Sequence, residues 1–315
     1  MKALVTGGAG CIGSDLCTRL LKEGYEVVAL DNLSSGKIDH INELEKNKRF
    51  KFVKGDILQK PDINKSMKGV DIVFHLAANS DIKYKDGDPT DEDLRLNTIA
   101  TYNVLECMRV NNVKKIVFTS SSVVYGEAEK IPTPEDYTVR PISLYAASKV
   151  SCEALIYGFC HMFGMQAWIL RFANIVGGKT RKTGKTVLSD FMDKLEKNHK
   201  ELEILGNGKQ SKSYLLVDDC IEGILTVLKK ANEKINIYNL GPEDFITVDE
   251  IARIVVGAVK LKNVKFRYTG GDRGWVGDVP RFLLDTTKIR KLGWKPKYTS
   301  KEAIKIAVKS LLESR

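Results

Sequence analysis

The sequence lacks the features that mark membrane, secreted and metal-binding proteins. Its longest apolar stretches, such as residues 251–259, are interrupted by charge and are too short to span a bilayer. The N-terminus runs directly into an apolar strand pattern without a separate charged segment, so we expect no signal peptide and a cytoplasmic location. No two of the six cysteines have C-x-x-C spacing. We therefore expect neither disulfides nor a metal site.

A basic tract of the kind that binds nucleic acid is also missing. The net charge is +10, but lysines and acidic residues are interspersed, as in residues 46–54, and no long basic run contains interleaved aromatics. We read the charge as a solvated lysine-rich surface and expect no nucleic-acid partner. The same charge favours a substrate that carries phosphates.

Short apolar runs alternate with segments of helical period over the first 170 of the 315 residues. The helical segments include 11–23 and 94–110, and the apolar runs are 3–5, 26–30, 50–53, 72–74, 115–119 and 167–170. Continuous apolar strands alternating with helices predict a parallel sheet that is covered on both faces. The predicted fold class is therefore α/β, a doubly wound Rossmann-like sheet.

The pattern becomes irregular after about residue 174, which predicts a second, smaller lobe. We expect residues 1–173 to form the dinucleotide-binding domain, with the strands in 214–242 completing its sheet. Residues 174–213 and 243–315 would then form a C-terminal substrate-binding lobe.

A glycine-rich turn follows the first predicted strand and opens the first predicted helix. It contains Gly7, Gly10, Cys11, Ile12 and Gly13. A side chain on these glycines would block the close approach of backbone N–H groups to a pyrophosphate, and the helix N-terminus adds partial positive charge. The strand before and the helix after give the motif the context that dinucleotide binding requires.

The ends of the next three strands also predict cofactor contacts. Asp31 ends the second strand 18 residues after Gly13, where its carboxylate can accept hydrogen bonds from ribose hydroxyls and repel a 2′-phosphate, so we favour NAD over NADP. The further predicted contacts are Asp56, Ile57, Leu76, Ala77 and Ala78. We interpret His75, before these small residues, as a hydrogen-bonded histidine at a strand end and give it no catalytic role.

Three residues near the middle of the chain form the predicted catalytic group. Ser121 lies at the carboxyl end of the fifth strand, where ligands bind in such sheets. Tyr145 and Lys149 are four residues apart, so they share one face of a helix. The ammonium and a nicotinamide ring would both favour phenolate, which allows Tyr145 to take a proton from a substrate hydroxyl while hydride leaves the same carbon.

These segments together resemble the extended short-chain dehydrogenases/reductases, and specifically the NAD-dependent UDP-sugar 4-epimerases. The resemblance covers nearly the whole chain and rests on residues 6–13, 31–36, 55–57, 75–78, 119–126, 145–149, 171–174, 217–219, 277–280 and 292–294. It adds Asn32, Ser35 and Gly36 to the expected cofactor contacts.

The resemblance implies reversible epimerisation at C4 of a UDP-hexose or a UDP-N-acetylhexosamine through a transient 4-keto sugar. Related 4,6-dehydratases and decarboxylases carry an additional acid just after the catalytic serine or threonine, whereas this chain has Ser122 and Val123 there. The alternatives are another NAD-dependent nucleotide-sugar oxidoreductase or dehydratase, and a non-catalytic nucleotide-binding protein on the same fold.

The resemblance also assigns residues to the substrate. Asn174 matches a diphosphate contact, Val187 a position in the uridine pocket, and Lys212 a position where many relatives have a phosphate-binding arginine. Arg273 could replace the second such arginine, and Phe282 matches a position near the C2 substituent of the sugar. Relatives form homodimers through two helices, which correspond here to residues 93–110 and 144–163.

Overall fold

Uninterrupted runs of buried apolar residues form the central strands of the computed structural model, which describes residues 1–79, 87, 89–178 and 186–313. Across these residues the strands are, in chain order, β1 (Lys2–Thr6), β2 (Glu26–Asp31), β3 (Phe50–Lys54), β4 (Ile72–His75), β5 (Lys115–Ser121), β6 (Gln166–Phe172), β7 (Asn174–Val176), β8 (Glu201–Ile204), β9 (Ser211–Lys212), β10 (Tyr214–Leu216), β11 (Ile235–Leu240), β12 (Ile246–Thr247) and β13 (Lys265–Tyr268).

Seven of these strands form one parallel sheet in the order β11-β6-β5-β4-β1-β2-β3. Ala3 of β1 is paired with Val27 of β2 on one side and with Ile72 of β4 on the other. The strand order reverses between β1 and β4, and in open parallel sheets a crevice forms outside the carboxyl ends at such a point. The predicted doubly wound Rossmann-like fold is confirmed.

Helices cover both faces of this sheet. The α-helices of the described residues are α1 (Cys11–Lys22), α2 (Lys60–Ser66), α3 (Ala100–Val110), α4 (Leu144–Phe163), α5 (Val187–Lys197), α6 (Val217–Lys230), α7 (Val248–Ala258), α8 (Thr287–Arg290) and α9 (Ser300–Glu313). One apolar cluster joins α1 and α6 to the first face, and a second joins α2, α3 and α4 to the opposite face. Burial on both faces is the physical reason for the continuous apolar strands.

The helix predicted over residues 94–110 begins with one turn of a different geometry. Leu94–Ile99 is π-helical, and α3 starts only at Ala100. A π turn holds one residue more than an α turn and occurs mostly at functional sites. Asn97, inside this turn, is buried.

One part of the predicted domain division is wrong. Within 214–242 only β11 joins the main sheet, whereas β10 is paired in parallel with β7 in a separate two-stranded sheet. The edge beside β6 is occupied by β11 along its whole length, so β10 has no place there.

The later part of the chain has an apolar core of its own. Its cluster combines side chains of α5, β8, α7 and α9, and it also contains Tyr214 and Leu216 of β10. Loss of any one of these elements would expose apolar surface of the others. In the part of the chain that the structure describes, no helix combines the length and the apolar character needed to cross a bilayer.

Candidate active site

The turn between β1 and α1 is packed so closely that it requires glycine. Gly7 has a φ of +70°, and a Cβ on it would lie 2.8 Å from the backbone nitrogen of Ala77. A Cβ on Gly13 would lie 2.0 Å from the carbonyl oxygen of Gly7. No side chain caps the N-terminus of α1 at Gly10. The first N–H groups of this helix therefore remain available for an anion, as a dinucleotide pyrophosphate requires.

Asp31 links the end of β2 to the glycine turn. Its Oδ2 accepts a hydrogen bond from the backbone N–H of Ala9 at 3.0 Å, and its Oδ1 accepts one from Leu33 at 2.8 Å. A carboxylate oxygen has more than one acceptor site, so this carboxylate can still accept from ribose hydroxyls. Asn32 donates from Nδ2 to Asp56 at 3.2 Å, which ties the ends of β2 and β3 together.

One cleft runs along these strand ends. All fourteen residues predicted for the cofactor before the catalytic segment line it: Gly7, Gly10, Cys11, Ile12, Gly13, Asp31, Asn32, Ser35, Gly36, Asp56, Ile57, Leu76, Ala77 and Ala78. A glycine turn, an uncapped helix N-terminus and a carboxylate acceptor in one cleft are the groups that NAD binding requires. Residues that sequence reasoning did not assign also line it: Leu30, Ser34, Gly55, Asn79, Leu96 and Thr119. Ser34, Gly55 and Thr119 stand inside the quoted motifs, whereas no sequence signal points to Leu96.

Tyr145 and Lys149 lie on the first turns of α4, which begins after Ser143. The Oγ of Ser143 accepts from the N–H of Ala146 at 3.1 Å and caps the helix. Lys149 is only 3% exposed, and its Nζ donates to the carbonyl oxygen of Thr119 at 3.0 Å. Because Thr119 also lines the cleft, this bond fixes the ammonium at the wall of the cofactor site.

The ammonium of Lys149 is buried and lies close to two aromatic rings. It lies 4.9 Å from the ring centroid of Phe118 and 5.7 Å from that of Tyr145. Burial lowers the pKa of Lys149, while the charges of Cys152, Glu153 and Asp93 oppose this shift. The site thus holds a desolvated cation that interacts with the face of the tyrosine.

The electrostatics of Tyr145 differ from the sequence expectation. Burial raises the pKa of the Tyr145 phenol, and the negative charge of Asp93 raises it further. In the protein alone, the phenol therefore holds its proton. A positive ring brought by the cofactor would act in the opposite direction.

Ser121 ends β5, two residues beyond Thr119, so both side chains lie on one face of the strand. The Oγ of Ser121 accepts from the N–H of Val123 at 3.4 Å. The neighbouring Ser122 and Val123 form the start of a short 3-10 turn. No carboxylate stands at either position.

His75 is a buried, hydrogen-bonded histidine, as the sequence analysis predicts. Its Nδ1 lies 2.7 Å from Thr6 Oγ1, and its Nε2 lies 3.0 Å from Thr101 Oγ1. Burial and the charge of Lys149 lower its pKa to about 3. Among the described residues, no three His, Cys, Asp or Glu side chains are grouped so as to hold a metal ion.

Two of the residues assigned to the substrate converge on one acid. Lys212 forms an ion pair with the buried carboxylate of Asp278. Arg273 donates to the carbonyl oxygen of Asp278 at 2.7 Å and forms an ion pair with Glu127 at 2.6 Å. Both cations are therefore already neutralised in part before any phosphate binds.

The other three such residues lie on separate elements. Asn174 begins β7 and hydrogen-bonds Tyr214. Val187 is the first residue of α5. Phe282 packs against a small apolar cluster that includes Tyr125, in the 3-10 turn after β5.

Known proteins resemble this chain along its whole length. The model of the NAD dependent epimerase/dehydratase family matches residues 3–241. A UDP-glucose 4-epimerase of Mycolicibacterium smegmatis is 32% identical over 313 residues, which are 96% of each chain. The crystal structure of a Thermotoga maritima UDP-glucose 4-epimerase with UDP-glucose is similar, with a TM-score of 0.88 and 30% identity over 100% of this chain and 99% of that one.

A Bacillus cereus UDP-glucuronic acid 4-epimerase in complex with UDP-glucuronic acid and NAD has a TM-score of 0.90 and 27% identity, with 100% of both chains covered. The fold, the glycine-lined cleft and these similarities agree with one another. The chain belongs to the NAD dependent epimerase/dehydratase family.

Proposed function

We propose that this protein catalyses the reversible 4-epimerisation of a UDP-hexose or UDP-N-acetylhexosamine with NAD as its cofactor. The observation that carries the proposal is the attachment of Lys149, one helical turn from Tyr145, to Thr119 in the wall of the dinucleotide cleft. UDP-sugar 4-epimerases among the relatives support the same activity.

In the proposed mechanism the protein handles the proton. When bound, NAD would supply the reversible hydride acceptor that this exchange at C4 of the sugar requires. The Oη of Tyr145 takes the proton of the C4 hydroxyl and gives it back to the C4 oxygen after the 4-keto sugar has turned. Ser121 hydrogen-bonds that oxygen in both states, and Lys149 supplies a fixed positive charge beside the phenolate.

A dehydratase would need a further acid or base to remove water from the sugar. Ser122 and Val123 occupy the two positions where the related dehydratases carry acids. Without an acid there, reduction of the 4-keto sugar is favoured over loss of water from it. This favours epimerisation over elimination.

We propose that residues 174–213 and 243–315 hold the nucleotide sugar. Asn174, Lys212 and Arg273 would bind the diphosphate, Val187 the uridine, and Phe282 would border the C2 substituent. The proximity of Lys212 and Arg273 at Asp278 supports a cationic site, in which the diphosphate competes with the Asp278 carboxylate for Lys212 and with Glu127 for Arg273.

We further propose a homodimer formed through α3 and α4 and a cytoplasmic location. Apolar side chains of both helices are exposed in the single chain, for example Tyr102 and Val110 on α3 and Tyr157 and Met162 on α4. A neighbouring chain would remove this surface from water. All six cysteines are free thiols, as is common in reducing compartments.

The first test is an assay of the purified protein with UDP-glucose, UDP-galactose, UDP-N-acetylglucosamine and UDP-N-acetylgalactosamine, each supplied separately. We expect interconversion of one or both C4 pairs without net NADH, because the cofactor is regenerated in every cycle. The Tyr145→Phe variant should lose activity by at least about 100-fold. The Tyr298→Phe variant is a control for an exposed tyrosine in the later lobe. Steady accumulation of NADH, or loss of the C6 hydroxyl, would disprove the proposal.

A further inference from the structure

Asp93 stands directly before the π turn and is engaged by two amide side chains. Its Oδ1 accepts from Nδ2 of Asn79 at 3.1 Å and from Nδ2 of Asn97 at 3.2 Å. Asn79 lines the cofactor cleft. Asp93 itself is half-buried, whereas its neighbour Glu92 is exposed. The mechanism described above makes no use of this carboxylate.

Asn97 continues the contact from Asp93 to the catalytic helix. It is 2% exposed, its Oδ1 accepts from the N–H of Asn79 at 2.7 Å, and its Nδ2 also donates to Oγ of Ser148 at 2.8 Å. Ser148 in turn donates to the carbonyl oxygen of Tyr145 at 2.7 Å. The bonds thus run without a break from the cleft to the turn of α4 that carries the catalytic pair.

The charge of Asp93 acts on both members of that pair. It raises the pKa of Tyr145, in addition to the larger effect of burial, and it counteracts the lowering that burial causes at Lys149. Burial also raises the pKa of Asp93 itself, against the hydrogen bond from Asn79. A negative charge near a phenol and an ammonium favours the protonated form of each.

We propose that Asp93 is a positioning residue that ties the cofactor cleft at Asn79 to the catalytic helix through Asn97 and Ser148, and that this carboxylate thereby acts on the proton exchange at Tyr145. This inference rests on the proposed function. It adds a carboxylate outside the Ser121, Tyr145 and Lys149 group to the residues that control the reaction.

Other titratable groups face the pair and have to stay unchanged in a test. Among the described residues they are His75 on β4, and Cys152 and Glu153 on α4. None of them donates to or accepts from Asp93 in the described network. A change at position 93 therefore isolates one charge.

The test compares Asp93→Asn with Asp93→Ala. An asparagine Oδ1 can still accept from both amide groups, so Asp93→Asn removes the charge and keeps the bonds, whereas Asp93→Ala removes both. For Asp93→Asn we expect both limbs of the pH profile of kcat to move to lower pH by about one unit, with kcat at its own optimum within about threefold of wild type. For Asp93→Ala we expect the same shift and at least about a tenfold loss of kcat. Glu92→Gln is the matched control: the charge of Glu92 acts on Asp93 but not on Tyr145 or Lys149, so this variant should shift the profile by much less than Asp93→Asn.

A second readout does not depend on the epimerase activity. Ultraviolet titration of phenolate in the NAD-saturated protein, as the difference between a protein with Tyr145 and its Tyr145→Phe counterpart, measures the ionisation of this one tyrosine. We expect it to titrate at lower pH in Asp93→Asn than in the wild-type background. Unchanged titration and unchanged pH limbs would overturn the inference. If the Tyr145 phenolate titrates at lower pH in Asp93→Asn as expected, but the wild-type protein has no epimerase activity, only the proposed function is overturned.

Discussion

Burial keeps two bases of the site, Lys149 and His75, in different charge states. Lys149 is tied to the carbonyl oxygen of Thr119 as an ammonium donor, whereas His75 is hydrogen-bonded on both ring nitrogens to threonine hydroxyls. A positive charge on either side chain would raise the free energy needed to form a positive charge on the other in this interior. The pKa of His75, lowered to about 3, therefore leaves a single cation next to Tyr145.

The buried histidine predicts how stability depends on pH. An unfolded histidine titrates near pH 6.5 and the folded one near pH 3, so protons bind preferentially to the unfolded chain below about pH 6.5. His75 should therefore contribute its full stabilisation above about pH 6.5. Protonation of this histidine in the unfolded chain should lower the free energy of unfolding by about 2 kcal/mol between pH 7 and pH 5. Urea unfolding at both pH values measures this cost.

The His75→Gln variant separates this effect from the titration of carboxylates. It should be less stable than wild type at pH 7 because a buried bond to Thr6 or Thr101 is weakened. It should also lose less stability than wild type between pH 7 and pH 5. Equal losses in the two proteins would show that His75 does not titrate in this way.

Among the elements, the glycine turn sets how close β1 and β4 can bring the cofactor. Gly7 packs on Ala77, and Gly13 packs on Gly7, so the turn, the start of α1 and the loop after β4 form one closely packed unit. Both of these contacts are made to backbone atoms, so no flexible side chain is present that could move away to make room. Space for the cofactor at this point therefore depends on a missing methyl group.

Replacement of Gly13 by alanine should disrupt this unit. The added Cβ would lie 2.0 Å from the carbonyl oxygen of Gly7, so the turn must shift. We expect NAD affinity, measured by calorimetry, to fall by at least about 100-fold, since the pyrophosphate is held by this backbone. Gly257→Ala on α7 is the control: a Cβ there meets nothing within 4 Å, and alanine should stabilise the helix by up to about 1 kcal/mol.

The sequence predicts these elements well where the signal is local. The strands follow from uninterrupted apolar runs, and the glycine turn follows from its flanks. The π turn over Leu94–Ile99 could not be predicted, because one π turn and one α turn give nearly the same apolar pattern. The role of Asn79 and Leu96 in the cleft was missed for a related reason, since only the folded chain brings the end of β4 and this turn together.

Contacts distant in sequence account for the remaining differences. Lys212 pairs with Asp278, 66 residues later in the chain, and Arg273 pairs with Glu127, which lies far earlier, so no local pattern indicates that these cations already have acidic partners. Likewise the raised pKa of Tyr145 depends first on burial and then on the charge of Asp93, more than fifty residues earlier in the chain. Charge balance in the site is a property of the folded molecule.

On the scale of the whole molecule, one buried ion pair holds the carboxyl end of the sheet together. Arg171 of β6 pairs with Glu153 of α4 at 2.7 Å and donates to the Tyr125 hydroxyl at 2.9 Å. That hydroxyl donates to Asn239 of β11 at 2.7 Å, and Glu153 accepts from Ser120 of β5. The catalytic helix, three strands and the turn after β5 thus share one polar network.

Removal of one partner of this pair should be costly. Glu153→Leu leaves Arg171 as a buried charge without its carboxylate, and we expect a loss of about 3–5 kcal/mol in urea unfolding. The double variant Glu153→Leu, Arg171→Met should recover part of this loss, because no buried charge then remains. Lys309→Gln, which breaks an exposed pair with Glu313, should change stability by less than about 1 kcal/mol. A Glu153→Leu protein as stable as wild type would contradict the assignment.

The lining of the cofactor cleft has a consequence for the order in which the molecule is made. Among the described residues, those that line the cleft lie at or before Thr119, whereas Tyr145, Lys149 and the residues proposed for the substrate come later. A chain growing from its N-terminus therefore finishes the walls of the cofactor site 26 residues before it reaches the catalytic tyrosine. During synthesis of each molecule, the residues that line the cofactor site are therefore complete before the residues proposed to carry out catalysis.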